Sequence, residues 1–132
     1  MGFGMGAAIG AALATGKRVV LVTGDGSFRM NAMELATAAS LGLPITVLLM
    51  NNTTLGMVRQ QQKHLSRETV WATDLCQTVD ACALARSLGA KTYRARGRIS
   101  LERALQAARN ILGPSLIDVQ ISAEETVREV RL

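Results

Sequence analysis

Aromatic side chains are scarce in this chain: two Phe, one Tyr and one Trp make up 3% of 132 residues. That shortage removes the stacking platforms on which single-stranded nucleic-acid binders depend, and no nucleic-acid motif is present. There is one histidine, His64, with no second His or Cys at ligand spacing, so a zinc centre is not expected and His64 reads as a solvated helix residue. The two cysteines, Cys76 and Cys82, stand six apart, too far for a CxxC pair, and read as buried thiols. The longest apolar run, Pro44 to Met50, is too short to cross a bilayer. The opening "MGFGMGAAIGAALATG" has no basic start and runs on as a glycine-spaced helix, so no signal peptide and no membrane are expected, and the expected location is the cytoplasm.

What is present is aliphatic. Hydrophobic residues reach 48%, so the core must be built from Ala, Val, Leu, Ile and Met, and a single domain is expected over residues 1–132. The net charge is +5 and unevenly spread: five basic and two acidic side chains up to residue 66, ten and eight beyond it. The one local cluster, "YRARGR", sets Arg94, Arg96 and Arg98 at alternate positions, as on a charged strand edge that resists aggregation.

Four apolar runs read as strands, at Arg18 to Thr23, Ile45 to Met50, Lys91 to Ala95 and Ser115 to Ile121. "ITVLLM" does not alternate, which suits a strand buried on both faces of a parallel sheet. Helical patterns lie between the runs. "NAMELATAASLG" has Asn31 and Glu34 at capping-box spacing and exits at Gly42 before Pro44; "GMVRQQQKHL" and "TVDACALARSLG" follow; "SLERALQAARNILG" is expected to be capped by Ser100. The alternation predicts an α/β fold, an open, mostly parallel sheet with helices on both faces in three layers.

In such folds ligands collect beyond the carboxyl ends of the strands. Two loops are expected there, Gly24-Asp25-Gly26-Ser27 and Asn51-Asn52-Thr53-Thr54, with 24 residues between Gly26 and Asn51. One helix, its turn and one strand consume about that many, and a right-handed crossover brings both loops to one edge. Neighbouring strands are about 4.8 Å apart, so Asp25 and Asn52 can reach one small cation. A carboxylate, an amide oxygen, a loop carbonyl and phosphate oxygens suit magnesium. Gly24 and Gly26 leave room for a diphosphate, the N–H groups of Gly26 and Ser27 can donate to it, and the helix opened by Gly56 offers a second anion site. A tight turn at Gly24 to Gly26 plus an Asn turn is the bland alternative.

GDG, 24 residues, then NN resembles the thiamine diphosphate signature. The wider text, "MGFGMGAAIGA", "GDGSFRMNAMELATA" and "MNNTTLGMVRQQQ", is similar to the acetohydroxyacid (acetolactate) synthase large subunit, densely from Met1 to about Gln62 and more loosely over residues 113–125. The resemblance implies a thiamine diphosphate-binding fold holding magnesium through Asp25, Asn52 and the Thr54 carbonyl. Gly24, Gly26 and Ser27 would line the diphosphate, Leu55 and Gly56 would close over it, Met1 would support the bent cofactor, and Met57 would face the substrate. It implies decarboxylation of pyruvate and transfer of the two-carbon unit to a second 2-oxoacid, in a homo-oligomer.

The departures are informative. The glutamate that activates the cofactor lies, in relatives, in a pyrimidine-binding domain ahead of this one, and no residue here is assigned that role; Glu34 is left as a helix residue. The fold is expected to lack its first strand and helix, so the chain reads as a fragment, or as half of a split enzyme completed by a partner, and as not competent alone. Gln61 stands where many relatives carry Trp, and Gly6 where they carry Pro. Two rivals remain. Gly2, Gly4 and Ala7 spell G-x-G-x-x-A with Asp25 about 20 residues on, as in an NAD-type dinucleotide-binding domain; or the chain is a non-catalytic assembly subunit.

Overall fold

The computed structural model describes residues 1–66, 69–75 and 79–125. In chain order it contains α1 (Phe3–Thr15), β1 (Val19–Gly24), α2 (Asp25–Met30), α3 (Glu34–Ser40), β2 (Ile45–Asn51), α4 (Gly56–Ser66), α5 (Ala81–Ser87), β3 (Lys91–Ala95), α6 (Arg98–Arg109) and β4 (Ser115–Gln120). The strands form one sheet in the order β1-β2-β4-β3, every pair parallel. All four expected strands are therefore found, each within one residue of its expected limits.

Alternation along the central strands divides the core in two. Ile45, Val47, Leu49 and Leu116 point to one face, where Met5, Ala8 and Ala12 of α1, Leu35 and Ala38 of α3, and Cys82 and Ala85 of α5 cover them. Ile117 and Val119 point to the other, beneath Ala104 and Ala108 of α6. Helices thus lie on both faces, and β2 and β4 are apolar on both sides because both sides are packed. α6 covers only the β3–β4 half of its face. On the β1 side Val20 and Val22 stay 56% and 61% exposed.

Several joints explain individual residues. Arg18 donates to the carbonyls of Ala108 (3.3 Å) and Ile111 (2.6 Å), tying the start of β1 to the end of α6, where a cation suits the helix dipole. A Cβ on Gly4 would lie 2.9 Å from Leu21 Cδ1, so this glycine allows α1 to press on β1. Gly89 has φ +91°, and a Cβ there would meet that of Ala39 at 2.9 Å, so no other residue suits this close turn.

Three local expectations need correction. Residues Asp25 to Met30 form a short helix rather than an open loop. Asn31 does not cap the next helix: its side chain donates to the Gly2 carbonyl at 2.9 Å, α3 starts at Glu34, and Met33 occupies the cap position. Ser100 lies inside the first turn of α6, which is capped by Gly97; its hydroxyl accepts from Arg96 N and donates to the Gly97 carbonyl. The exit of α3 is as expected, with Gly42 at φ +61°. Cys82 is buried and His64 exposed; Cys76 lies outside the described residues.

Leu35 is fully buried between α1, α3 and the sheet. Truncating it removes a packed isobutyl group from a face that cannot collapse freely. Leu35→Ala is expected to lower the unfolding free energy by about 2–5 kcal/mol in urea denaturation, and the exposed Leu41→Ala by less than about 0.5 kcal/mol.

Candidate functional site

β1 and β2 are adjacent and in register, Gly24 opposite Met50, so the segments that follow them emerge side by side. Asp25 opens α2 and is only 3% exposed. Its Oδ1 accepts the N–H of Gly26 at 2.9 Å and its Oδ2 accepts the N–H of Thr53 at 2.8 Å. One carboxylate therefore joins the chain after β1 to the chain after β2. Thr53 is held at φ +57°, an uncommon conformation for a β-branched residue, and this aims its N–H at Asp25.

Beside it, Asn52 Oδ1 accepts the N–H of Thr54 at 3.1 Å. The Thr54 carbonyl accepts the N–H of Gly56 at 2.9 Å and retains a second lone pair. A carboxylate offers about four lone-pair sites, so Asp25 also keeps acceptor capacity beyond its two N–H partners. Glycine keeps the space around these groups open. A Cβ on Gly26 would lie 3.0 Å from Leu55 Cδ2, and one on Gly56 would lie 2.7 Å from Asn52 Nδ2. Ser27 Oγ accepts the N–H of Gly2 at 2.9 Å, which leaves its own hydroxyl proton to donate.

All ten residues singled out by the sequence meet here. Met1, Gly24, Asp25, Gly26, Ser27, Asn52, Thr54, Leu55, Gly56 and Met57 line one cavity of about 480 Å³. The cavity lies beyond the carboxyl ends of β1 and β2. Its apolar walls and few convergent polar groups are the pattern of a small-molecule site. The donor set fits a hard divalent cation, and the side-chain-free approach at Gly24 and Gly26 fits the phosphate groups the cation would accompany.

Sequence reasoning missed the backbone contacts that support the turn after β2. Thr54 Oγ1 donates to the Thr73 carbonyl at 2.9 Å, Leu55 N donates to the same carbonyl at 2.7 Å, and Leu75 N donates to the Thr53 carbonyl at 2.9 Å. The segment around Thr73 thereby clamps the Asn52–Leu55 turn from behind, and nothing in its composition signals it. Glu125, Ile121, Gln60 and Val58 also line the cavity. Among the described residues no group of three or more His, Cys, Asp or Glu side chains is placed to hold a metal, so any cation here depends on amide and carbonyl oxygens besides the Asp25 carboxylate.

Burial pushes the Asp25 carboxyl above its ordinary pKa of 3.8; the N–H donors of Gly26 and Thr53 and the charge of Arg29 oppose that shift without cancelling it. Because the folded value exceeds the unfolded one, the contribution of Asp25 to stability is complete below about pH 3.9 and is lost as pH rises through the folded midpoint. In the metal-free chain, a carbon-13 titration of the Asp25 carboxyl is expected to show a midpoint above that of an exposed aspartate. A midpoint at or below the ordinary value would mean that the two N–H donors outweigh burial.

Comparison with known proteins bears on the family and the fold. The family model described as "Thiamine pyrophosphate enzyme, C-terminal TPP binding domain" matches residues 1–119. The acetolactate synthase isozyme 1 large subunit of Escherichia coli K12 is 42% identical over 128 residues, covering 96% of this chain and 23% of its own length. The acetolactate synthase large subunit of Parasynechococcus marenigrum is 43% identical over 127 residues, covering 95% and 21%. Among solved structures, the thiamine diphosphate-dependent 4-hydroxybenzoylformate decarboxylase of Rhodococcus jostii RHA1 superposes with a TM-score of 0.88 at 29% identity, over 96% of this chain and 24% of that one. The chain therefore spans about a quarter of the length of these relatives. With that match over most of its length, the chain belongs to the thiamine pyrophosphate enzymes, as the C-terminal TPP-binding domain of an acetolactate synthase-like member.

Proposed function

We propose that the cavity beyond β1 and β2 holds magnesium and the diphosphate of thiamine diphosphate. Asp25, Asn52 and the Thr54 carbonyl would ligate the metal. Gly24, Gly26, Ser27, Leu55 and Gly56 would surround the diphosphate, Met1 would support the cofactor, and Met57 would face the substrate. The observation that carries the reading is the buried Asp25 carboxylate, fixed by Gly26 and Thr53 with lone pairs to spare beside Asn52. A divalent cation would relieve the cost of ionising it there.

The reaction this domain would serve is that of an acetolactate synthase-like carboligase, joining a two-carbon unit from pyruvate to a second 2-oxoacid. When bound, the cofactor supplies the electron sink for breaking the bond to the carboxylate. The chain's own residues hold its anionic end, exclude water with Leu55, Met57 and Ile121, and fix its position. No carboxylate in the cavity is assigned to activating the cofactor's other ring, so that role falls to a pyrimidine-binding domain elsewhere in the enzyme or on a partner chain. The isolated chain would then bind the cofactor and turn nothing over. The exposed Val20 and Val22 favour burial of this face of β1 in an oligomer.

Calorimetry separates this reading from its rivals. Thiamine diphosphate is expected to bind only when Mg²⁺ is present, and Asp25→Ala to weaken that binding by at least about tenfold while leaving the oligomeric state unchanged. Binding of NAD in preference, or affinity for thiamine diphosphate unaffected by Mg²⁺, overturns the assignment. Purified chain alone is expected to form no acetolactate from pyruvate.

A further inference from the structure

A second cavity, about 830 Å³, opens at the other end of the same sheet edge, where β3 passes into α6. Arg94, Arg96, Arg98 and Arg103 are among its lining residues, and no acidic residue is. Two of them are already engaged: Arg94 with Asp80 at 2.5 Å, and Arg98 with Glu102 at 2.8 Å. Arg96 and Arg103 have no acidic partner among the described residues. The wall behind them is apolar, formed by Tyr93, Ile99, Ala104 and Ala107.

Charged strand edges need only point their side chains into solvent. Here the arginines instead border a concavity, and two of them, Arg98 and Arg103, come from the helix rather than the strand. Arg98 also sits in the first turn of α6, where the helix end is itself partially positive and Glu102, one turn on, is its acidic partner. Such a concentration of positive charge is stabilised by an anion. Guanidinium forks match phosphate oxygens in pairs, and the volume falls within the usual range for a small-molecule site.

We propose that this cavity is a second anion site, independent of the thiamine diphosphate cavity, which takes a phosphorylated small molecule carrying an apolar ring. Arg96 and Arg103 bind the phosphate groups, and the ring lies on Tyr93 and the alanines of α6. The phosphates neutralise the two arginines that have no acidic partner among the described residues, and the ring covers apolar surface that otherwise faces water.

Tyr93 is the only tyrosine in the chain, so its ring resonances report on this cavity alone. The test is a proton NMR titration of the full chain without Mg²⁺, using ADP, inorganic pyrophosphate and adenosine as probes. ADP is expected to shift the Tyr93 resonances saturably, pyrophosphate to bind more weakly, and adenosine not to compete. Arg96→Gln/Arg103→Gln is expected to weaken ADP binding at least about tenfold, Arg96→Lys/Arg103→Lys to weaken it less, and Asp25→Ala to leave it unchanged. Both arginines are exposed, and circular dichroism of each variant checks that the fold is retained. Unmoved Tyr93 resonances at millimolar ADP, or equal affinity in the double Gln variant, overturn the proposal. So does a single-stranded oligonucleotide that shifts Tyr93 at lower concentration than ADP, which would make the surface a nucleic-acid contact.

Discussion

A single carboxylate organises the end of this domain where β1 and β2 terminate. Asp25 takes one N–H from its own helix and one from Thr53, and in doing so bolts together two chain segments that the sheet merely places side by side. Asn52, Thr54 and Gly56 inherit their positions from that bolt. The parallel pairing of β1 and β2 supplies the coarse alignment, and the buried ion fixes the last few ångströms. Burial of an ionised group costs free energy that the two N–H donors recover only in part.

The scaffold behind it is plain aliphatic packing. β2 and β4 sit in the middle of the sheet and are closed on both sides, which explains why neither alternates in hydropathy. Cross-links at the rim keep the layers from sliding: Arg18 to the end of α6, and Asn51 Nδ2 to the buried Asp118 at 2.9 Å, which joins β2 to β4 just before the Asn52 turn. Stability is thus vested in the sheet interior, and the functional groups stand at its edge on backbone that this interior holds rigid.

Much of this was legible from residue order. Strand limits were readable because each apolar run is bounded by polar or glycine residues, and the meeting of Asp25 with Asn52 followed from the length of one crossover. The ten residues expected at the site share one cavity for the same reason. Errors arose where a side chain had two eligible partners. Asn31 could cap a helix or hold the Gly2 carbonyl, and tertiary contact decided for the second. Asp-Gly-Ser reads as a turn by propensity, yet its backbone continues into helix as α2 because Phe28 is buried against the core. The clamp from Thr73 left no trace in the sequence, since it uses a backbone carbonyl that every residue possesses.

The two rims of the sheet are unlike. β3 carries Lys91 and Arg94 along its outer margin, whereas β1, "VVLVTG", carries no charge from end to end. Of the two margins of this sheet, only that of β1 is free of charges that discourage pairing, so the asymmetry resists growth of the sheet from β3 and leaves the β1 rim tolerant of a further strand.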